Sequence, residues 1–275
     1  MSARLASRFD ALKREGRAAL VAYVMASDPD HETCLEILRG LPAAGADVIE
    51  LGFPFTDPMA DGPSIQKAAL RALKAGGSLK KTLELAKRFR ETNKDTPLIL
   101  MGYANPIEQM GYEAFARATR DAGADGAIIV DLPPEEDAPL RRAFEANGLS
   151  IIRLATPTTD ANRLTKVLEG ASGFLYYVSV AGVTGANAAA AGDVKSAVER
   201  LKRATSLPIA VGFGVREPEA ARAIAQTADA VVVGSAFVDE ITATAPHQAA
   251  ERVLHKVRQM SEAVRSARQV EGTRA

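Results

Sequence analysis

Ala44-Gly45-Ala46-Asp47-Val48-Ile49-Glu50-Leu51-Gly52 carries the pattern that decides the fold. A turn of small residues ends in Asp, runs into a short apolar segment and meets a glycine. The same wording recurs where Ala122-Gly123-Ala124-Asp125 precedes Ala127–Val130, and where Ala228-Asp229 precedes Ala230–Val233. One turn repeated before several apolar runs is expected when the units occupy equivalent places in space. From Leu20 to Val233 the chain alternates short β-branched runs, polar or Gly-rich loops and longer amphipathic stretches, the grammar of strand–helix–strand units. The runs are Ala19–Met25, Val48–Leu51, Leu98–Met101, Ala127–Val130, Ile151–Leu154, Phe174–Val178, Ile209–Val211 and Ala230–Val233. Their unbroken apolarity suits parallel strands buried on both faces. Among the helices, Asp28 reads as an N-cap with Pro29 at the first helical position, and Gly111–Ala122 as a helix ended by Gly123.

Eight such units fit an α/β fold closed as a (β/α)8 TIM barrel better than an open doubly wound sheet. The loop after the first run, Ala26-Ser27-Asp28-Pro29, has no glycines of a dinucleotide-binding turn. A single domain is expected over residues 1–275, with its core at about 19–268. Leu5, Phe9 and Leu12 form a stripe on an extra N-terminal helix that Gly16 ends, suited to covering the bottom of the barrel.

Composition narrows the function. The 34 Lys and Arg balance 34 Asp and Glu, so no broad basic field exists for nucleic acid and no polybasic signal for a membrane. No stretch approaches the roughly 20 apolar residues of a membrane span, and a cytoplasmic protein is expected. Cys34 is the sole cysteine and sits among Leu35, Leu38 and Leu41 at helical spacing, which reads as a buried structural thiol rather than a nucleophile. None of the three histidines, His31, His247 and His255, stands beside another ligand type at a metal-binding spacing, and no metal is expected.

Barrel active sites lie in the loops at the carboxyl ends of the strands, so polar residues just after each apolar run become the candidates. Glu50 interrupts an apolar strand. Burying a carboxylate is costly unless it is paired or used, and a buried carboxyl has the raised pKa that suits a group which must both give and take a proton. A structural Glu paired with a neighbouring cation is the alternative. Asp57 and Asp61 follow on a loop stiffened by Pro54, Pro58 and Pro63, where either one faces the pocket or merely caps an Asx turn. Gly212-Phe213-Gly214 and Gly234-Ser235 follow the seventh and eighth runs, where barrels commonly hold phosphate on backbone N–H groups; a plain tight turn is the alternative for each. From Tyr176 to Gly192 the chain carries no charge and is mostly small residues, a composition suited to a lid. Tyr23, Tyr103, Tyr176 and Phe213 cluster at strand ends and are candidates to enclose a flat ring, although each alone also fits the core.

Glu50-Leu51-Gly52-Phe53-Pro54-Phe55-Thr56-Asp57-Pro58, Ala60-Asp61-Gly62-Pro63 and Ile65-Gln66 together resemble the signature of tryptophan synthase α subunits. The resemblance continues in order through Met101-Gly102-Tyr103-Ala104-Asn105-Pro106, Asp131-Leu132-Pro133, Ala181-Gly182-Val183-Thr184-Gly185, Gly212-Phe213-Gly214 and Gly234-Ser235-Ala236, spanning about Ala19 to Val238. It implies a lyase that cleaves indole-3-glycerol phosphate to indole and glyceraldehyde 3-phosphate in tryptophan biosynthesis. By that resemblance Glu50 is the catalytic acid/base and Asp61 the group on the indole nitrogen. Tyr23, Ile65, Tyr103, Tyr176, Thr184 and Phe213 are expected at the substrate, and Gly185, Gly214, Gly234 and Ser235 at its phosphate. Pro54 and Asp57 are expected at the interface with a β subunit in an α2β2 heterotetramer. No cofactor is implied for this chain, since pyridoxal phosphate belongs to the β subunit. Val180 stands where some members carry a basic residue. Two rivals share the fold: a phosphosugar isomerase, against which the loop around Asp61 argues, and a non-catalytic scaffolding barrel, against which the pairing of Glu50 with Asp61 argues.

Overall fold

The computed structural model describes residues 2–179, 188–212 and 214–268, with only the backbone at 188–191 and 246. Nine strand segments form one parallel sheet: β1 (Ala19–Met25), β2 (Val48–Gly52), β3 (Leu98–Gly102), β4 (Gly126–Ile129), β5 (Ser150–Ile151), β6 (Arg153–Ala155), β7 (Leu175–Val178), β8 (Ile209–Gly212) and β9 (Ala230–Val233). Their order, β5-β4-β3-β2-β1-β9-β8-β7-β6, places β5 and β6 at opposite ends. Only Ile152 separates those two, and its N–H reaches the Ala127 carbonyl (3.1 Å) while the Ile151 carbonyl accepts from Ser172 (2.9 Å). The fifth apolar run is thus one barrel position in two pieces, and eight positions close the ring as the sequence leads one to expect. Helices alternate with the strands around the outside.

Repetition in the sequence has a physical cause at the barrel's amino-terminal end. Asp47, Asp125 and Asp229 each accept a hydrogen bond from the backbone N–H at the start of a neighbouring strand: from Leu20 (3.0 Å), Leu98 (2.9 Å) and Ile209 (2.9 Å). Each also holds a cation: Arg17 on Asp47, Arg90 and Arg4 on Asp125, Lys202 on Asp229. These carboxylates staple strands together, consistent with the stabilising role of that face in barrels. Leu5, Phe9 and Leu12 on the helix Ala3–Arg14 pack on the interior residues Val21, Val48, Ile99 and Phe174, with Phe9 and Phe174 rings 5.8 Å apart. The extra helix therefore plugs the bottom of the barrel.

One helix start differs from expectation. Asp30, not Asp28, caps the helix His31–Ala44 by accepting from Thr33 N–H (2.9 Å). Asp28 is buried and accepts two hydrogen bonds from Arg71, at 2.8 and 2.7 Å. A bidentate ion pair to a helix 43 residues away outcompetes a local cap. Cys34 is buried as expected, and burial pushes its thiol up to about 12, so it stays protonated and unreactive.

Candidate active site

Strand register builds the site. Tyr23 on β1 pairs with Glu50 on β2, and their side chains point into the barrel just below its carboxyl-end mouth. Room for the tyrosines comes from glycines: a Cβ at Gly52 would lie 2.3 Å from the Tyr23 hydroxyl, and one at Gly212 2.8 Å from that of Tyr176. Above them opens a cavity of about 520 Å³, lined among others by Tyr23, Glu50, Asp61, Ile65, Tyr176, Gly214, Gly234 and Ser235. Eight of the residues expected from the sequence thus meet in one place. A wider groove of about 730 Å³ lies on the outer wall, between the helices Ala161–Leu168 and Ala188–Ala204, and contains none of them.

Glu50 is wholly buried, and neither of its carboxyl oxygens meets a hydrogen-bond partner among the described residues. The ion-paired alternative for this residue is excluded by that observation. Burial alone pushes its carboxyl up to about 8, so at neutral pH it holds its proton. Asp61 stands on the loop between β2 and the helix Pro63–Lys74. Burial raises its carboxyl to about 6, while a hydrogen bond with Tyr103 works the other way. At pH 7 the cavity therefore holds one protonated and one ionised carboxyl, two environments that separate an acid from an anion. Burial also pushes the Tyr23 and Tyr176 hydroxyls well up, and the charge of Asp61 adds for Tyr23, so each remains a neutral hydrogen-bond donor.

The Asp61 loop is held from behind. Tyr103 does not line the cavity: its hydroxyl accepts from Ala60 N–H (3.1 Å), its hydrogen bond reaches Asp61, and its ring stacks on Phe55 at 5.4 Å. These contacts place Tyr103 behind the Asp61 loop. Arg71, fixed by Asp28, ties the helix that follows the loop to the end of β1. Pro54 is buried, with its ring against Gly77, so it shapes the loop without reaching the surface, whereas Asp57 is exposed beside Met59, 82% exposed, and Leu70, 63% exposed. Thr184, Gly185, Phe213, Val180 and the middle of the proposed lid, residues 180–187, lie outside the described residues.

Sequence reading missed the apolar lining. Met101, Val130, Leu154, Val178 and Val232 face the cavity from β3, the end of β4, β6, β7 and β9. Each lies an even number of residues from an interior core residue of its own apolar run, such as Ile99 for Met101 or Ile128 for Val130, so alternation was the available signal. Ser64, Thr156 and Arg216 were also missed; they line the mouth from loops and helix starts, where no periodicity marks direction.

Comparison with known proteins agrees with this geometry. The family model described as "Tryptophan synthase alpha chain" matches residues 9–265. The tryptophan synthase alpha chain of Caulobacter sp. (strain K31) is 59% identical, covering 96% of this chain and 97% of the relative, and that of Phenylobacterium zucineum is 59% identical over 97% of each. A crystal structure of tryptophan synthase subunit alpha from Legionella pneumophila str. Paris superposes with a TM-score of 0.88 at 39% identity, covering 96% of this chain and 98% of that one. Near-complete coverage and high identity place this chain in the tryptophan synthase alpha chain family.

Proposed function

We propose that Glu50 and Asp61 carry the family's lyase reaction here, the retro-aldol cleavage of indole-3-glycerol phosphate to indole and glyceraldehyde 3-phosphate. The observation that carries this reading is Glu50: a fully buried carboxyl without a hydrogen-bond partner among the described residues, facing the same cavity as a second carboxyl that ionises near neutrality. The protonated Glu50 gives its proton to indole C3, and Asp61 stabilises the positive charge that develops at the ring N–H. Glu50, now a carboxylate, takes the proton of the C3′ hydroxyl. The electrons of the C3–C3′ bond return to the ring, indole leaves, and C3′ becomes the aldehyde carbon. Glu50 ends protonated, ready for the next turnover.

Ile65, Met101, Leu154 and Val232 offer an apolar slot for the flat ring. Gly214, Gly234 and Ser235 stand at the expected phosphate end, where Ser235 opens the helix Ser235–Thr242 and backbone N–H groups point outward. This chain is read as one barrel domain. Its chemistry uses its own side chains, and the pyridoxal phosphate of the tryptophan synthase reaction belongs to the β subunit. We place that subunit in an α2β2 assembly over the exposed face formed by Asp57, Met59 and Leu70. A cytoplasmic location fits a biosynthetic enzyme, and among the described residues no helix is long and apolar enough to cross a membrane.

Following indole release from indole-3-glycerol phosphate tests the assignment. Glu50→Gln keeps shape but exchanges no proton, and its rate should fall by about 10³-fold or more, with Asp61→Asn also severely impaired. Turnover of Glu50→Gln within tenfold of wild type would remove Glu50 from the mechanism.

A further inference from the structure

The cavity holds two acids and receives a phosphate ester, yet its expected phosphate contacts at Gly214, Gly234 and Ser235 are all uncharged. A dianion entering beside Asp61 calls for a counter-charge, and among the described residues that line the cavity Arg216 is the one cation. Arg216 follows Gly214 by two residues and is about half exposed. Its guanidinium joins two parts of the mouth. One nitrogen pairs with Asp239, on the helix whose first residues form the phosphate end; the other donates to Ser64 Oγ (3.3 Å), on the first turn after the Asp61 loop. Neither contact buries the charge, so Asp239 can be exchanged for a phosphate oxygen at little cost while the contact to Ser64 is kept.

We propose that Arg216 is a substrate-binding residue that supplies the positive charge to the phosphate of indole-3-glycerol phosphate and, through Ser64, ties the phosphate end of the site to the Asp61 end. The proposal rests on the phosphate site inferred above. Asp239 holds the guanidinium in place while the site is empty, and the phosphate competes with it for the same donors. Arginine suits this role because its planar fork can serve a phosphate oxygen and a hydroxyl at once.

Steady-state kinetics and ligand competition test it, with the KM for indole-3-glycerol phosphate, the inhibition constant of inorganic phosphate and the binding of uncharged indole as readouts. The chain contains no Trp, so indole fluorescence reports binding without tryptophan background. Losing a charge-assisted contact should raise KM and the phosphate constant roughly ten- to hundredfold in Arg216→Gln. kcat should change far less, and indole binding should stay as in wild type. Arg216→Lys should recover most of the phosphate affinity. Asp239→Asn, which frees the guanidinium, should bind phosphate as tightly as wild type or tighter. Ser235→Asp puts a like charge at the phosphate end and serves as the control. Should Ser235→Asp lose phosphate binding while Arg216→Gln keeps it, Arg216 is not the counter-charge and the phosphate site stands. Unchanged phosphate binding in Ser235→Asp would overturn the phosphate site itself. If Asp239→Asn reproduces the Arg216→Gln defect, the ion pair rather than the free cation matters, and the proposal fails.

Discussion

Glu50 is a buried, unpartnered carboxyl that costs the fold stability, a cost that the proposed chemistry accounts for. Its pKa of about 8 in the fold lies above the ordinary carboxyl value of 4.5, so the native state holds the proton more tightly than the unfolded chain. Stability contributed by that proton is present in full below about 4.5 and is lost as the pH rises through about 8. Glu50→Gln pays no such cost. Its melting temperature should match wild type in mild acid and exceed it above pH 8, by roughly 2–4 °C for each kcal/mol relieved; thermal unfolding at the two pH values checks this, and a mutant no more stable than wild type in alkali would mean that Glu50 is not buried as a charge. Tyr103 supplies a second test at the same scale. Because its hydrogen bond lowers the Asp61 pKa against the pull of burial, Tyr103→Phe should move the acid limb of the rate profile upward, by about half to one pH unit. An unmoved limb would show that Tyr103 does not hold Asp61.

At the scale of elements, the two ends of the barrel divide the work. The carboxylates at the amino-terminal end are paired and hydrogen-bonded, as Asp125 is with Arg90, Arg4, Ser2 and the Leu98 N–H. Those of the cavity, Glu50 and Asp61, have no cation partner among the described residues. Asp125→Ala would strand the largely buried Arg90 and should cost about 3–5 kcal/mol. Urea unfolding reads that loss, while turnover of the folded fraction should remain near wild type; an activity loss larger than the folded-fraction loss would contradict the division. This arrangement was legible in part. The Ala-Gly-Ala-Asp repeat and the unbroken apolar runs gave away all eight barrel positions because each is a local pattern. Helix starts were less legible: Asp28 and Asp30 are equally good caps by residue type, and the choice was made by Arg71, which no local rule connects to either. The direction of Tyr103 was hard to read for a related reason, since a position just past a strand end does not tell whether a ring turns into the cavity or behind the next loop. Arg216 escaped notice because the glycines before it, and not the cation, marked the turn.

Taken whole, the molecule has no net charge with which to gather an anionic substrate from a distance, so capture of the phosphate falls to local groups at the mouth. The mouth is also the face that exposes Asp57, Met59 and Leu70, so a partner docked there would sit on the loop that carries Asp61. Partner and substrate should then strengthen each other's binding reciprocally. Asp57→Ala should weaken activation by the β subunit more than it alters the basal rate, and titrating that subunit into wild type and mutant while following indole checks it; superimposable activation curves would take Asp57 out of the coupling. The claim on which all of this depends is that one protonated and one ionised carboxyl work together in the cavity. The most direct measurement of it is the pH dependence of indole release from indole-3-glycerol phosphate by the purified chain. A bell with limbs near 6 and near 8 is predicted, the acid limb disappearing from the residual activity of Asp61→Asn. A flat profile across that range, or an acid limb that survives in Asp61→Asn, would contradict it.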